Sequence, residues 1–93
     1  MKTKVVNIKG FDELLPKNLV KIGRPSIFGN PFQIGKDGTR QEVIEKFKKY
    51  MYDRLRIDPH FKLKVDKLKG HLLGCFCKPL PCHGDIYVEY LEK

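Results

Sequence analysis

The stretch "HLLGCFCKPLPCHGD", His71 to Asp85, holds all three cysteines of the chain and two of its three histidines. How it is read decides the fold. His71–Cys77 is short, apolar and free of proline, which predicts a buried strand. Two prolines within Lys78–Pro81 exclude regular structure there. Beyond them, Ile86 and Tyr90, like Tyr87 and Leu91, lie four residues apart, which predicts a C-terminal helix. A strand, an irregular return and a helix start are therefore compressed into one segment. This is the unit from which small α/β sheets are built.

Working outward, the same order of elements extends through the chain. Lys4–Ile8 and Asn18–Gly23 are β-branched strand candidates, and Phe11–Leu15 reads as a helical turn closed by Pro16. Arg24–Gly38 is dense in Gly, Pro and Asn, so it reads as a loop. Thr39 and Glu42 form a capping-box signature, and Val43, Phe47, Tyr50, Met51 and Leu55 recur at helical spacing. A helix is predicted from about residue 40 to 55. Asp58 then serves as a second N-cap with Pro59 at the first helical position, and Gly70 ends a short helix whose apolar face is Phe61, Val65 and Leu68. The predicted architecture is an α/β single domain over residues 1–93, with a sheet of about three strands covered by helices.

Composition narrows the function. An apolar fraction of 41% over 93 residues suits one modest core and excludes a disordered chain. No secretion signal follows the charged N-terminus and no run reaches membrane-spanning length, so a cytoplasmic protein without membrane contact is expected. Thiols in that compartment are usually reduced, and an odd number of them argues against a pure disulfide framework. The net charge is +8, and Lys46–Lys69 alone carries nine Lys/Arg against three Asp. Such a field attracts nucleic acid or a phosphorylated small molecule; it also suits a plain solvated surface.

The thiol stretch admits three kinds of chemistry. Cys75 and Cys77, two apart on a strand, face one side, so both are expected to be buried. With Cys82 and His83 they form a candidate Cys₃His set for zinc, although C-x-C-x4-C-H is not the usual knuckle spacing. Alternatively, Cys82 at a helix N-terminus is a low-pKa thiolate nucleophile, with His83 or Asp85 moving the proton. In the third reading Cys82 and His83 only touch a ligand whose phosphate sits on the helix end. Against all three stands simple packing, with the cysteines as small apolar residues and Asp85 favouring the helix dipole.

Two blocks together, "IGRPSIFGNPFQIGKDGTRQEVIEKF" (Ile22–Phe47) and "LLGCFCKPLPCHGDI" (Leu72–Ile86), resemble the DUF4326 family, a domain of unknown function found in bacteria, archaea and their viruses. Phe28 and Phe76 stand where that family's pattern usually has Trp; the polar positions are all present. The resemblance implies no reaction. It groups Arg24, Asn30, Thr39 and Arg40 with the Cys-His segment as parts of one ligand site. Asn30 also fits ordinary turn chemistry, and Thr39 is accounted for by capping. Arg40 is harder to explain, because a cation in the first helical turn opposes the helix dipole.

The expected function is therefore binding of an anionic ligand, a nucleotide or nucleic-acid fragment. Arg24, Arg40 and the Cys82-His83-Gly84-Asp85 helix start should converge on one cleft. One alternative is a zinc-stabilised nucleic-acid-binding module using Cys75, Cys77, Cys82 and His83. A third reading is an interaction protein whose polar pattern is structural. No complete catalytic set is readable.

Overall fold

The computed structural model describes residues 2–9 and 17–93. Its elements are β1 (Lys4–Asn7), β2 (Leu19–Lys21), α1 (Arg40–Ile57), α2 (Pro59–Asp66), β3 (Leu72–Cys75) and α3 (Gly84–Leu91). Types and order agree with the sequence reading. The helical turn expected over Phe11–Leu15 falls outside the described residues.

All three strands are parallel, in the order β1-β3-β2. Leu73 is in register with both Val5 and Val20, so these three side chains form one row across the sheet. That row and Cys75 belong to the apolar core, together with Phe47 and Met51 of α1 and Tyr87 of α3. The α/β class is thus as expected: among the described residues, a three-stranded sheet with three helices.

Local chemistry sets the helix limits. Glu42 N–H donates to Thr39 Oγ1 (3.2 Å), and Thr39 N–H donates to Glu42 Oε1 (2.9 Å), closing the capping box. Val43, Phe47, Met51 and Leu55 are the buried stripe of α1. Asp58 ends α1 and caps α2, accepting from Phe61 N–H at 3.1 Å. Gly70 takes φ +82°, a left-handed conformation that turns the chain into β3.

The last strand is shorter than the apolar run that encodes it. Pairing stops at Cys75; Phe76 is 66% exposed, and Leu80 N–H closes a turn on Cys77 O at 2.8 Å. Cys77 therefore lies beyond the strand. It is half-buried, while Cys75 is buried. Two-residue periodicity required the strand to continue, and the turn at Cys77 removes that condition.

Two contacts close the fold. Thr3, itself buried, donates from N and Oγ1 to Glu92 Oε2 (3.2 and 2.9 Å) and accepts from Gly70 N–H (2.8 Å). At the opposite edge Gly84 begins α3 against the sheet. A Cβ there would lie 2.8 Å from Ile22 Cδ1 and 2.9 Å from Val5 Cγ2. Ile22 is fully buried and Val5 is β-branched, so neither yields readily. Gly84→Ala should therefore destabilise the protein by about 1–2 kcal/mol: overpacking costs ~1–3 kcal/mol and improved helix propensity returns at most ~1 kcal/mol. Urea denaturation measures this as a lower midpoint; an unchanged or raised midpoint would show that α3 can shift to make room.

Candidate functional site

In a parallel sheet every strand points its carboxyl end at the same edge, and helices that follow strands begin there. Ligand crevices of α/β sheets lie outside that edge. Here the chain leaving β2 supplies Gly23 and Arg24, the chain leaving β3 supplies Phe76 and Cys77, and α1 starts with Arg40. A cleft of about 450 Å³ opens between them. Arg24 and Arg40 line it together with Cys75, Cys77, Cys82 and His83. Phe32, Ile34 and Phe76 add apolar walls, and Asn30 and Gln33 add amides. Residues 24, 40 and 82–83 of the expected grouping thus line one cleft, and Gly84 and Asp85 do not.

Thr39 and Asp85 are not part of the lining. Thr39 is engaged in its capping box. Asp85 accepts from Cys82 N–H at 3.1 Å and pairs with Lys78. This corrects the picture of the α3 start as an open anion site. The amides of Asp85 and Ile86 are bonded to Cys82 O and His83 O, and the Asp85 carboxylate already sits at the positive end of the helix dipole.

His83 is a buried joint. Its Nε2 lies 2.9 Å from Ile22 O, and its ring packs edge-on to Phe47, with centroids 5.1 Å apart. Burial pushes its pKa below the ordinary 6.5 despite the Ile22 and Phe28 carbonyls, and Nε2, facing the Ile22 carbonyl oxygen, is the donor of that bond. Tyr87, which sequence periodicity placed only on the C-terminal helix, donates its hydroxyl to Phe28 O at 2.9 Å. His83, just before α3, and Tyr87 within it fasten the loop after β2 to the helix. Asn30 holds the same loop from within: Oδ1 accepts from Phe32 N–H (2.9 Å) and Nδ2 donates to Val43 O (3.3 Å). No non-glycine residue described has positive φ, so Asn30 serves through its amide and not through a left-handed backbone.

The thiols and His83 do not form the candidate Cys₃His metal set. Among the described residues no group of three His, Cys, Asp or Glu side chains is placed to hold a metal ion. The physical reason is that His83 Nε2 is directed at the Ile22 carbonyl, while Cys75 and Cys82 turn to each other with 3.4 Å between sulfurs. Nor is Cys82 an activated nucleophile. Burial, and then the bond to Cys75, pushes its thiol up to about 12. Low dielectric outweighs the helix start, which alone would lower it.

Among the described residues the two arginines are the cationic groups of the cleft that retain free donors. Arg40 Nη1 donates to Pro81 O (3.1 Å), tying α1 to the proline loop and, among the described residues, leaving most of its N–H groups unused. Arg24 makes no side-chain hydrogen bond within the described residues, and neither arginine has a carboxylate partner there. Gly29 admits the Arg24 stem, since a Cβ at 29 would lie 2.9 Å from Arg24 Cγ. The basic α1–α2 surface is different. Lys48, Arg54, Arg56 and Lys62 are each paired with a carboxylate.

Comparison with known sequences agrees with this arrangement of motifs. The model of the family described as "Domain of unknown function (DUF4326)" matches residues 6–93. The chain belongs to the DUF4326 family. A relative of this DUF4326 chain, the "Uncharacterized 12.4 kDa protein in nrdA-td intergenic region" of Enterobacteria phage T4, is 41% identical over 75 residues, covering 80% of this chain and 68% of its own. No solved structure matches. Among the described residues of this DUF4326 chain, no helix is long and apolar enough to cross a membrane.

Two outcomes follow from the burial. A thiol reagent at neutral pH should modify Cys77 first and leave Cys75 and Cys82 untouched until the protein unfolds; Cys77→Ser should remove the fast phase of a colorimetric thiol titration. Rapid reaction of Cys82 would contradict its placement. The second concerns pH. His83 binds a proton less readily folded than unfolded, so stability is full above about 6.5 and declines as pH falls through that value. His83→Gln keeps a donor for Ile22 O and should flatten the dependence of the urea midpoint between about pH 7 and 5. A variant with the wild-type slope would assign the titration elsewhere.

Proposed function

We propose that this protein binds a phosphate-bearing anion, a nucleotide or nucleic-acid fragment, in the cleft at the carboxyl edge of its sheet. The observation that carries the reading is the pair Arg24 and Arg40 on one cleft, without a carboxylate partner for either among the described residues. Two guanidinium groups facing one space in a chain of net charge +8 repel each other. A phosphate between them reverses the sign of that interaction and uses their forked donors. Anion affinity thus rests on the arginines, because the α1 start is closed by its capping box and the Asp85 and Ile86 amides at the α3 start are bonded to Cys82 O and His83 O. With Cys82 held as a thiol and His83 joined to a carbonyl, we read the cleft as a binding site rather than a seat of nucleophilic chemistry. Its place is the cytoplasm, where such anions are abundant.

The test is titration of the full chain with pyrophosphate at low ionic strength. Saturable binding that weakens as salt rises is expected. Arg24→Ala should reduce the affinity by about 10-fold or more, the effect of losing a charged hydrogen bond, while leaving the urea midpoint nearly unchanged because the side chain is exposed. Absence of binding, or equal binding by the variant, would remove the reading.

A further inference from the structure

We propose that the ligand is specifically a nucleotide and that Phe76 is the platform on which its base stacks. The inference rests on the anion reading above and adds the second half of the ligand. Its starting point is an inventory of rings. Phe28, Phe32, Phe47, Tyr50, Tyr52, Tyr87 and Tyr90 each pack against at least one other ring, and Phe61 lies beneath the Arg54 guanidinium at 4.1 Å. Phe76 alone among the described aromatics has neither a ring nor a cation against it. It is 66% exposed, the most exposed aromatic in the described chain, and it lines the same cleft as Arg24 and Arg40.

Placement makes this more than a stray apolar side chain. Phe76 directly follows buried Cys75, the last residue of the central strand, so its backbone is anchored while its ring faces open space. Ile34, 54% exposed, adds apolar surface to the same cleft, and Gln33 brings an amide. An exposed ring, apolar surface and two guanidinium groups are the parts that a base and a phosphate require: the ring takes the flat face, and the cations take the charge. The volume of about 450 Å³ is within the range of sites for single small ligands. Stacking uses a π-face that every base has, so purine and pyrimidine nucleotides should both bind.

The chain has no tryptophan, which makes the experiment direct. Phe76→Trp installs a single indole at the proposed platform. Adenosine and uridine monophosphate should both quench its fluorescence, and ribose 5-phosphate should not. In wild type the two nucleotides should bind tighter than ribose 5-phosphate by about 5- to 150-fold, the range found when a stacked base loses its aromatic partner. Phe76→Ala should abolish that difference while leaving ribose 5-phosphate binding unchanged. A short single-stranded oligonucleotide as competitor separates a free nucleotide from one within a strand; either should depend on Phe76. Equal binding of ribose 5-phosphate and the nucleotides, with no quenching, would overturn the platform and leave the anion site standing. Failure of all three ligands to bind would overturn both.

Discussion

Leu72–Cys75 has a double obligation on which the rest of the molecule depends. It is the middle strand, and both β1 and β2 pair with it and not with each other. Only four residues long, it must satisfy two ladders at once. Gly74 makes the close approach feasible, since a Cβ there would sit 2.9 Å from Ile8 Cγ2 and 3.1 Å from Leu19 Cδ2. Leu73 supplies the apolar contact on the other side of the strand, fully buried beside Val5 and Val20. Because the three strands are parallel, their carboxyl ends open at one edge, and the cleft's location follows from that pairing.

At that edge nearly every polar group is used to hold loops. His83 secures Ile22, Tyr87 secures Phe28, Asn30 secures the start of α1 through Val43, and Asp85 secures the proline loop through Cys82 and Lys78. Buried polar groups demand such partners, because an unpaired one costs about 1–3 kcal/mol. The network thus fixes two loops that have no regular structure of their own. Among the described residues, what remains unengaged on the cleft stands apart: Arg24, most of the donors of Arg40, the Gln33 amide and the Phe76 ring. A rigid edge carrying a few free groups is the usual make-up of a binding cleft.

Sequence carried the parts of this that are local. Thr39 with Glu42, and Asp58 with Pro59, announced both helix starts, because capping bonds join residues three apart. The grouping of Arg24 and Arg40 with the Cys-His segment was also legible, through the two blocks that carry the family resemblance. Partnerships formed across space were not. Nothing near Asp85 signalled that its carboxylate would turn back to Cys82 N–H and Lys78, and nothing near Cys82 signalled a sulfur of Cys75 at 3.4 Å. Helix-start position suggested an acidic thiol, whereas burial decided the opposite. Phe76 was visible only as an aromatic within an apolar run; its exposure depends on where pairing stops, which is set by the turn at Cys77.

The bond from Thr3 to Glu92 places the two ends of the fold side by side, at the edge opposite the cleft. A short linker could therefore join them and the chain could be opened elsewhere, between α2 and β3. Such a circular permutant would be made in the order β3, α3, β1, β2, α1, α2. The middle strand would then be synthesised first, and β1 and β2 would each add to an existing template. The native order requires the opposite: β1 waits more than sixty residues for its neighbour. Shortening that wait lowers the loop-closure entropy that slows parallel sheets. The permutant would thus have the same cleft and contacts reached by a different folding route, and the position of the ends makes that separation of architecture from chain order accessible in this molecule.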